Sequence, residues 1–151
     1  MKVLFVCTGN TCRSAMAEAL FRAAARDAGL ANLEVGSAGI GAWDGAAASE
    51  GAYLVMLERG VDMSGHRARL LTRELVEQYD VILTMARSHL GRARELGAGA
   101  RAHLLGEYAG RPDGHTEIAD PYGADLDQYR EVYRELIELM PAAMARLSGA
   151  A

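Results

Sequence analysis

The sequence predicts an α/β fold, a single-domain three-layer arrangement around a parallel sheet, on three observations. Short apolar runs alternate with helix-like segments along the 151 residues, which is the pattern of βαβ units. The first run, KVLFV, leads through VCTGNTCRS into SAMAEALFRAAARDAG, so Cys7 stands on a strand-to-helix turn. The length fits about one domain able to bury a core. That domain is expected over residues 1–148, with 149–151 a frayed tail.

Each element follows from local pattern. Strands are expected at 2–7, 33–38, 79–85 (YDVILTM) and 101–105, where the runs are short and apolar. Helices are expected at 14–28, closed by Gly29, and at 49–59, between a capping Ser49 and Gly60. Two more are expected at 72–78, starting from Thr72, and around 88–96. The last, Leu126 to Leu147, places Leu126, Tyr129, Tyr133, Leu136, Met140, Met144 and Leu147 at helical spacing on one face. Asp125 and Asp127 fit its N-terminus. Pro141 interrupts this pattern, and an interior proline costs a helix roughly 3 kcal/mol, so a kink or a fresh start is expected there. The stretches 39–48 (GIGAWDGAAA) and 109–125 (AGRPDGHTEIADPYGAD) read as long loops, which in a compact domain are often functional.

Composition narrows the function. Half of the residues are apolar, 24% are charged and the net charge is −4, so there is no basic footprint for nucleic acid or an anionic membrane, and an anion must be bound locally. The N-terminal run is too short for a signal peptide and no run reaches membrane-spanning length, so the chain reads as cytoplasmic. The only two cysteines, Cys7 and Cys12, lie close together, which is no disulfide framework of a secreted domain.

The turn at 7–14 can bind a tetrahedral anion. Five residues between Cys7 and Arg13 allow successive N–H groups to curl inward, and the helix that follows adds its positive end. Arg13 supplies a planar fork that matches two phosphate oxygens. The same field favours a thiolate, which makes Cys7 a nucleophile facing phosphorus. Neither the G-x-x-x-x-G-K-[ST] nor the G-x-G-x-x-G nucleotide loop is present. Two cysteines with His66, His89, His103 and His115 scattered do not make a zinc pattern.

These residues resemble the low-molecular-weight protein phosphatases, whose signature is C-x5-R-S on the first strand-helix turn. The likeness runs nearly end to end, from VLFVCTGNTCRS through SAG and HRAR to DPYG. It implies a four-stranded parallel sheet with helices on both faces, a phosphocysteine intermediate, phosphorylated protein substrates, affinity for inorganic phosphate or similar oxyanions, and no metal or cofactor. Ala15 departs from it, standing where the family usually has proline in the first helical turn, which costs preorganisation and no chemistry.

By the same resemblance Asp120, in the D-P pair with Pro121, is the general acid and then the base for water. The phosphate-binding loop comprises Thr8, Gly9, Asn10, Thr11, Cys12, Arg13 and Ser14, with Asn10, Ser14, Ser37 and His66 holding its shape. Trp43 and Tyr122 match the walls of the cleft. Cys12 matches the partner that, in some members, protects the nucleophile as a Cys7–Cys12 disulfide.

The leaving group is chosen by Thr8 and Thr11, where tyrosine-specific members usually carry larger apolar side chains. CTGNTCRS followed by DPYG resembles the bacterial protein arginine phosphatases, although these carry phenylalanine at the position of Tyr122. A short polar Thr11 suits a guanidinium, whereas isoleucine would leave its N–H groups unpaired. Phosphoarginine is therefore the expected substrate, with phosphotyrosine as the alternative. An arsenate reductase would need further cysteines to pass a disulfide outward, and none follows Cys12. A non-catalytic phosphate-binding module would have no use for Cys7 and Asp120.

Overall fold

The computed structural model describes residues 1–149; residues 150 and 151, in the expected frayed tail, lie outside the described part. Four strands, β1 (Lys2–Cys7), β2 (Glu34–Gly39), β3 (Val81–Thr84) and β4 (Ala102–Leu104), form a parallel sheet in the order β2-β1-β3-β4. The helices are α1 (Arg13–Asp27), α2 (Glu50–Leu57), α3 (Arg73–Glu77), α4 (Arg87–Glu95), α5 (Leu105–Tyr108) and α6 (Leu126–Leu147). Side-chain oxygens of Ser49, Thr72 and Asp125 cap α2, α3 and α6 by accepting the N–H groups of Ala52, Leu75 and Gln128.

The unbroken apolar run of β1 reflects burial on both faces. Val3, Phe5 and Cys7 point into one layer with Met16, Phe21, Leu83, Tyr129 and Leu136, contributed in part by α1 and α6. Leu4 and Val6 point into the opposite layer with Leu75, Val76, Ile82, Leu90 and Leu104, where α3 and α4 pack. Fully burying a side chain such as Leu4 or Phe5 stabilises the fold by about 1.5–3 kcal/mol, which makes β1 its central pillar. The chain leaves β1 toward β2 on one side and later places β3 on the other. The carboxyl end of β1 is therefore the switch point at which doubly wound sheets bind ligands.

Two expectations change. Pro141 neither ends nor restarts α6, which runs unbroken from Leu126 to Leu147. Pro141 and Ile137 both lie on the exposed face, so the Ile137 carbonyl that loses its partner is on the water side, while Leu136, Leu139, Ala143 and Leu147 anchor the helix across the proline. The buried seam also takes in Val132 and Leu139, leaving Tyr133, Met140 and Met144 at its flank. Several boundaries tighten: β3 excludes Tyr79 and Asp80, because the Lys2 N–H is taken at 2.7 Å by the Asp80 carboxylate and not by a backbone carbonyl, and the chain bends at Asp80. The end of the expected fourth strand becomes the start of α5.

Candidate active site

The turn after β1 is held open by a polar network centred on Asn10. Asn10 has a positive φ of 56°, a left-handed conformation that asparagine tolerates better than most residues. Its fully buried side chain donates to Ser14 Oγ at 2.9 Å and to Ser37 Oγ at 2.8 Å, and accepts the Arg69 N–H at 2.9 Å. His66 Nε2 donates to the Asn10 carbonyl at 2.6 Å. The side-chain amide and the carbonyl of this asparagine are thus satisfied, which makes the network a rigid support rather than a cost. The four expected support residues, Asn10, Ser14, Ser37 and His66, come together here.

Backbone contacts complete the frame. Ile40 N–H and Gly41 N–H donate to the carbonyls of Cys7 and Thr8 at 3.0 and 2.9 Å, and Ser49 N–H donates to Thr11 at 2.9 Å. Gly39 is the point of closest approach: a Cβ there would stand 2.4 Å from the Thr8 carbonyl oxygen. Any other residue would push β2 off the turn.

Cys7, Arg13 and Asp120 share one cleft of about 320 Å³ with Thr8, Gly9, Thr11, Cys12, Trp43 and Tyr122. Cys7 Sγ lies 2.8 Å from Ser14 Oγ, a hydroxyl placed to donate to a sulfur anion. Arg13, only 5% exposed, donates from Nη1 to the Ile118 carbonyl at 2.9 Å. Its Nε is buried without a hydrogen-bond partner among the described residues. A buried guanidinium N–H left unpaired is costly, and an oxyanion in this cleft would satisfy it. Asp120 arrives on the long 109–125 loop, which Ile118 pins to the end of β3 by donating its N–H to Met85 at 2.8 Å. Asp120 Oδ1 accepts the Tyr122 N–H at 3.0 Å, and Oδ2 stands 3.6 Å from Arg13 Nη2.

Trp43 is 84% exposed and Tyr122 74% exposed; both are cleft walls and neither packs in the core. The Thr11 hydroxyl lies 3.7 Å from Cys12 Sγ and does not bond its own backbone. Cys12 and Cys7 are both free thiols, and Cys12 Sγ also sits 3.1 Å from Ser49 Oγ and 3.7 Å from the Tyr129 hydroxyl. Burial pushes the Tyr129 phenol above its ordinary value.

Two residues escape a reading of the sequence. Glu18 accepts the Ser37 hydroxyl and an Arg22 N–H, tying the support network to α1. His89, in the first turn of α4 and 1% exposed, has Nε2 2.9 Å from Thr8 Oγ1. Its only signal in the sequence is a position just beyond β3, the neighbour of β1, at the carboxyl edge of the sheet. His89 is pushed down to about 4, by burial first and then by Arg13, against the opposing pull of Asp120 and Glu117. With its folded value below the ordinary 6.5, the unfolded chain takes up the proton first. Its contribution is therefore complete above about pH 6.5 and declines as pH falls toward 4, by about 3 kcal/mol at most. Urea unfolding should show that acid decline in the wild type and a shallower one in His89→Gln. Equal slopes in the two proteins would exclude this histidine as the cause.

Comparison with known proteins gives a consistent relationship over the whole length. Residues 2–150 match the family described as low molecular weight phosphotyrosine protein phosphatase. A protein-arginine-phosphatase of Bacillus subtilis is 37% identical over 147 residues, covering 93% of this chain and 92% of that protein. A low molecular weight protein-tyrosine-phosphatase of Streptomyces coelicolor is 35% identical over 156 residues, covering 99% and 92%. The solved structure of the arginine phosphatase from Geobacillus stearothermophilus superposes with a TM-score of 0.87 at 35% identity, covering 98% of this chain and 93% of the other.

Proposed function

This chain belongs to the low molecular weight phosphotyrosine protein phosphatase family, and from that premise we propose that it hydrolyses phosphoarginine in proteins through a phosphocysteine intermediate. The observation that carries the reading is the convergence of Cys7, Arg13 and Asp120 on one cleft that the short polar side chain of Thr11 also lines. Relatives named as arginine phosphatases support the same substrate.

In this mechanism the anion accepts hydrogen bonds from the loop N–H groups and from the free Nε of Arg13, which holds phosphorus in front of the Cys7 sulfur. The thiolate attacks phosphorus, the S–P bond forms and the P–N bond breaks, while the Asp120 carboxyl gives its proton to the departing guanidine nitrogen. Water then attacks the phosphocysteine. Asp120, now a carboxylate, takes a proton from that water, the S–P bond breaks, and phosphate leaves with the thiolate restored. Both sulfurs line the same cleft, which supports a reversible Cys7–Cys12 disulfide as protection against over-oxidation.

Thr11 decides the substrate in this reading. Its hydroxyl, 3.7 Å from Cys12 Sγ, keeps a lone pair to accept a guanidinium N–H, whereas an isoleucine would crowd that plane and leave the N–H unpaired. Thr11→Ile is expected to move the ratio of kcat/KM for a phosphoarginine protein over a phosphotyrosine peptide by about 30- to 1000-fold toward phosphotyrosine. An unmoved ratio, or a wild type that already prefers phosphotyrosine, would replace this reading by the second one. Phosphotyrosine is supported by the exposed aromatic pair Trp43 and Tyr122 on the cleft, which could flank an aryl ring.

A further inference from the structure

We propose that His89 is a positioning residue for phosphoryl transfer, holding the Thr8 hydroxyl so that its own O–H points at the oxygens of the bound phosphoryl group. The proposal rests on the reading of the 7–14 turn as a phosphoryl site. It also reassigns Thr8, which the sequence places with Thr11 as a wall facing the leaving group.

The hydrogen-bond directions follow from one contact. Ala86 N–H donates to His89 Nδ1 at 3.0 Å, so Nδ1 carries a lone pair and the neutral imidazole keeps its proton on Nε2. Nε2, 2.9 Å from Thr8 Oγ1, is then a donor. Arg13 Nη2 approaches the same oxygen at 3.5 Å. Two donors occupy both lone pairs of the hydroxyl, and what remains to it is its hydrogen. Thr8 is exposed to the cleft it shares with Cys7, Arg13 and Asp120, where an acceptor must meet that hydrogen. A phosphoryl oxygen held by Arg13 is such an acceptor. The burial that keeps His89 neutral down to about 4 preserves this tautomer across the working pH range.

The two threonines therefore divide the recognition. Thr8, turned into a donor, serves the phosphoryl group common to every substrate. Thr11 lacks such a pair of donors and keeps an acceptor for the leaving group. This arrangement makes His89 matter for affinity toward the anion and not for the choice of substrate.

The test compares Thr8→Val, His89→Leu, His89→Gln and the Thr8→Val/His89→Leu double variant by inhibition with orthovanadate and by kcat/KM on both substrates. Thr8→Val should weaken orthovanadate about tenfold or more and lower both kcat/KM values by a similar factor, leaving their ratio in place. His89→Leu should do the same alone and add little in the double variant. His89→Gln can return both bonds, an amide N–H to Thr8 and a carbonyl oxygen to the Ala86 N–H, and should recover most of the loss. If His89→Leu does not fold, Thr8→Val and His89→Gln still carry the comparison. A ratio shifted by Thr8→Val would overturn the proposal, as would a His89→Leu penalty undiminished in the Thr8→Val background. A wild type that binds orthovanadate but prefers phosphotyrosine would remove the arginine reading alone, because the Thr8 ratio is taken against the wild type itself.

Discussion

Cys7→Ser is expected to end turnover, with kcat reduced by about 10⁴-fold or more, while the protein still binds inorganic phosphate within a few-fold of wild type. A serine hydroxyl is far weaker than a thiolate as a nucleophile at neutral pH, so the step that forms the covalent intermediate is lost. Binding survives because the loop owes its shape to Asn10, with its bonds to Ser14, Ser37, Arg69 and His66, and not to the sulfur. Cys7 lies in the β1 layer at 2% exposure, and oxygen is smaller than sulfur, so no clash is introduced. Calorimetric titration with phosphate beside a rate assay separates the two effects. Turnover within about tenfold of wild type would remove Cys7 from the chemistry.

Arg13→Lys should cost about 10²- to 10⁴-fold in kcat/KM and a comparable factor in orthovanadate affinity, since two charge-assisted hydrogen bonds to the anion are worth roughly 1.5–3 kcal/mol each. Lysine keeps the charge but offers a single point of donation, with no planar fork to present two N–H groups at once. It would also have to replace the donor that Nη1 gives to the buried Ile118 carbonyl at 2.9 Å, the contact that ties the Asp120 loop to the anion loop. A modest drop in thermal midpoint is therefore expected alongside the kinetic loss. The two are separable: a scaffold role alone would lower the midpoint and leave orthovanadate affinity near wild type. That result would contradict the reading of the unpaired Nε as the anion's partner.

The sequence made much of the site legible because its chemistry is local. Cys7, the five residues of the turn and Arg13 are contiguous, so their spacing alone sets what one curled backbone can do. The Asp120-Pro121 pair and the Ser37 and His66 supports came through resemblance, since nothing within a few residues of them points to the loop. Boundaries followed capping chemistry closely at Ser49, Thr72 and Asp125. They failed where a distant partner intervened, as when the Asp80 carboxylate took the Lys2 N–H and β3 began one residue later, at Val81.

By itself the sequence determined the parallel α/β plan and the strand-turn-helix that carries Cys7 and Arg13, because each depends on periodicity or contact between near neighbours. Only the tertiary structure decided which distant groups complete the site. The order β2-β1-β3-β4 brings Gly39 against one side of the turn and α4 with His89 against the other. It also seats Ile118 on Met85, which delivers its carbonyl to Arg13 and Asp120 to the cleft. Pro141 was settled in the same way, by apolar anchors on the buried face of α6 that outweigh one missing bond facing water. The physical reason is common to these cases: a buried polar or backbone group must find a partner, and which partner it finds is set by the packing of elements far apart in the chain.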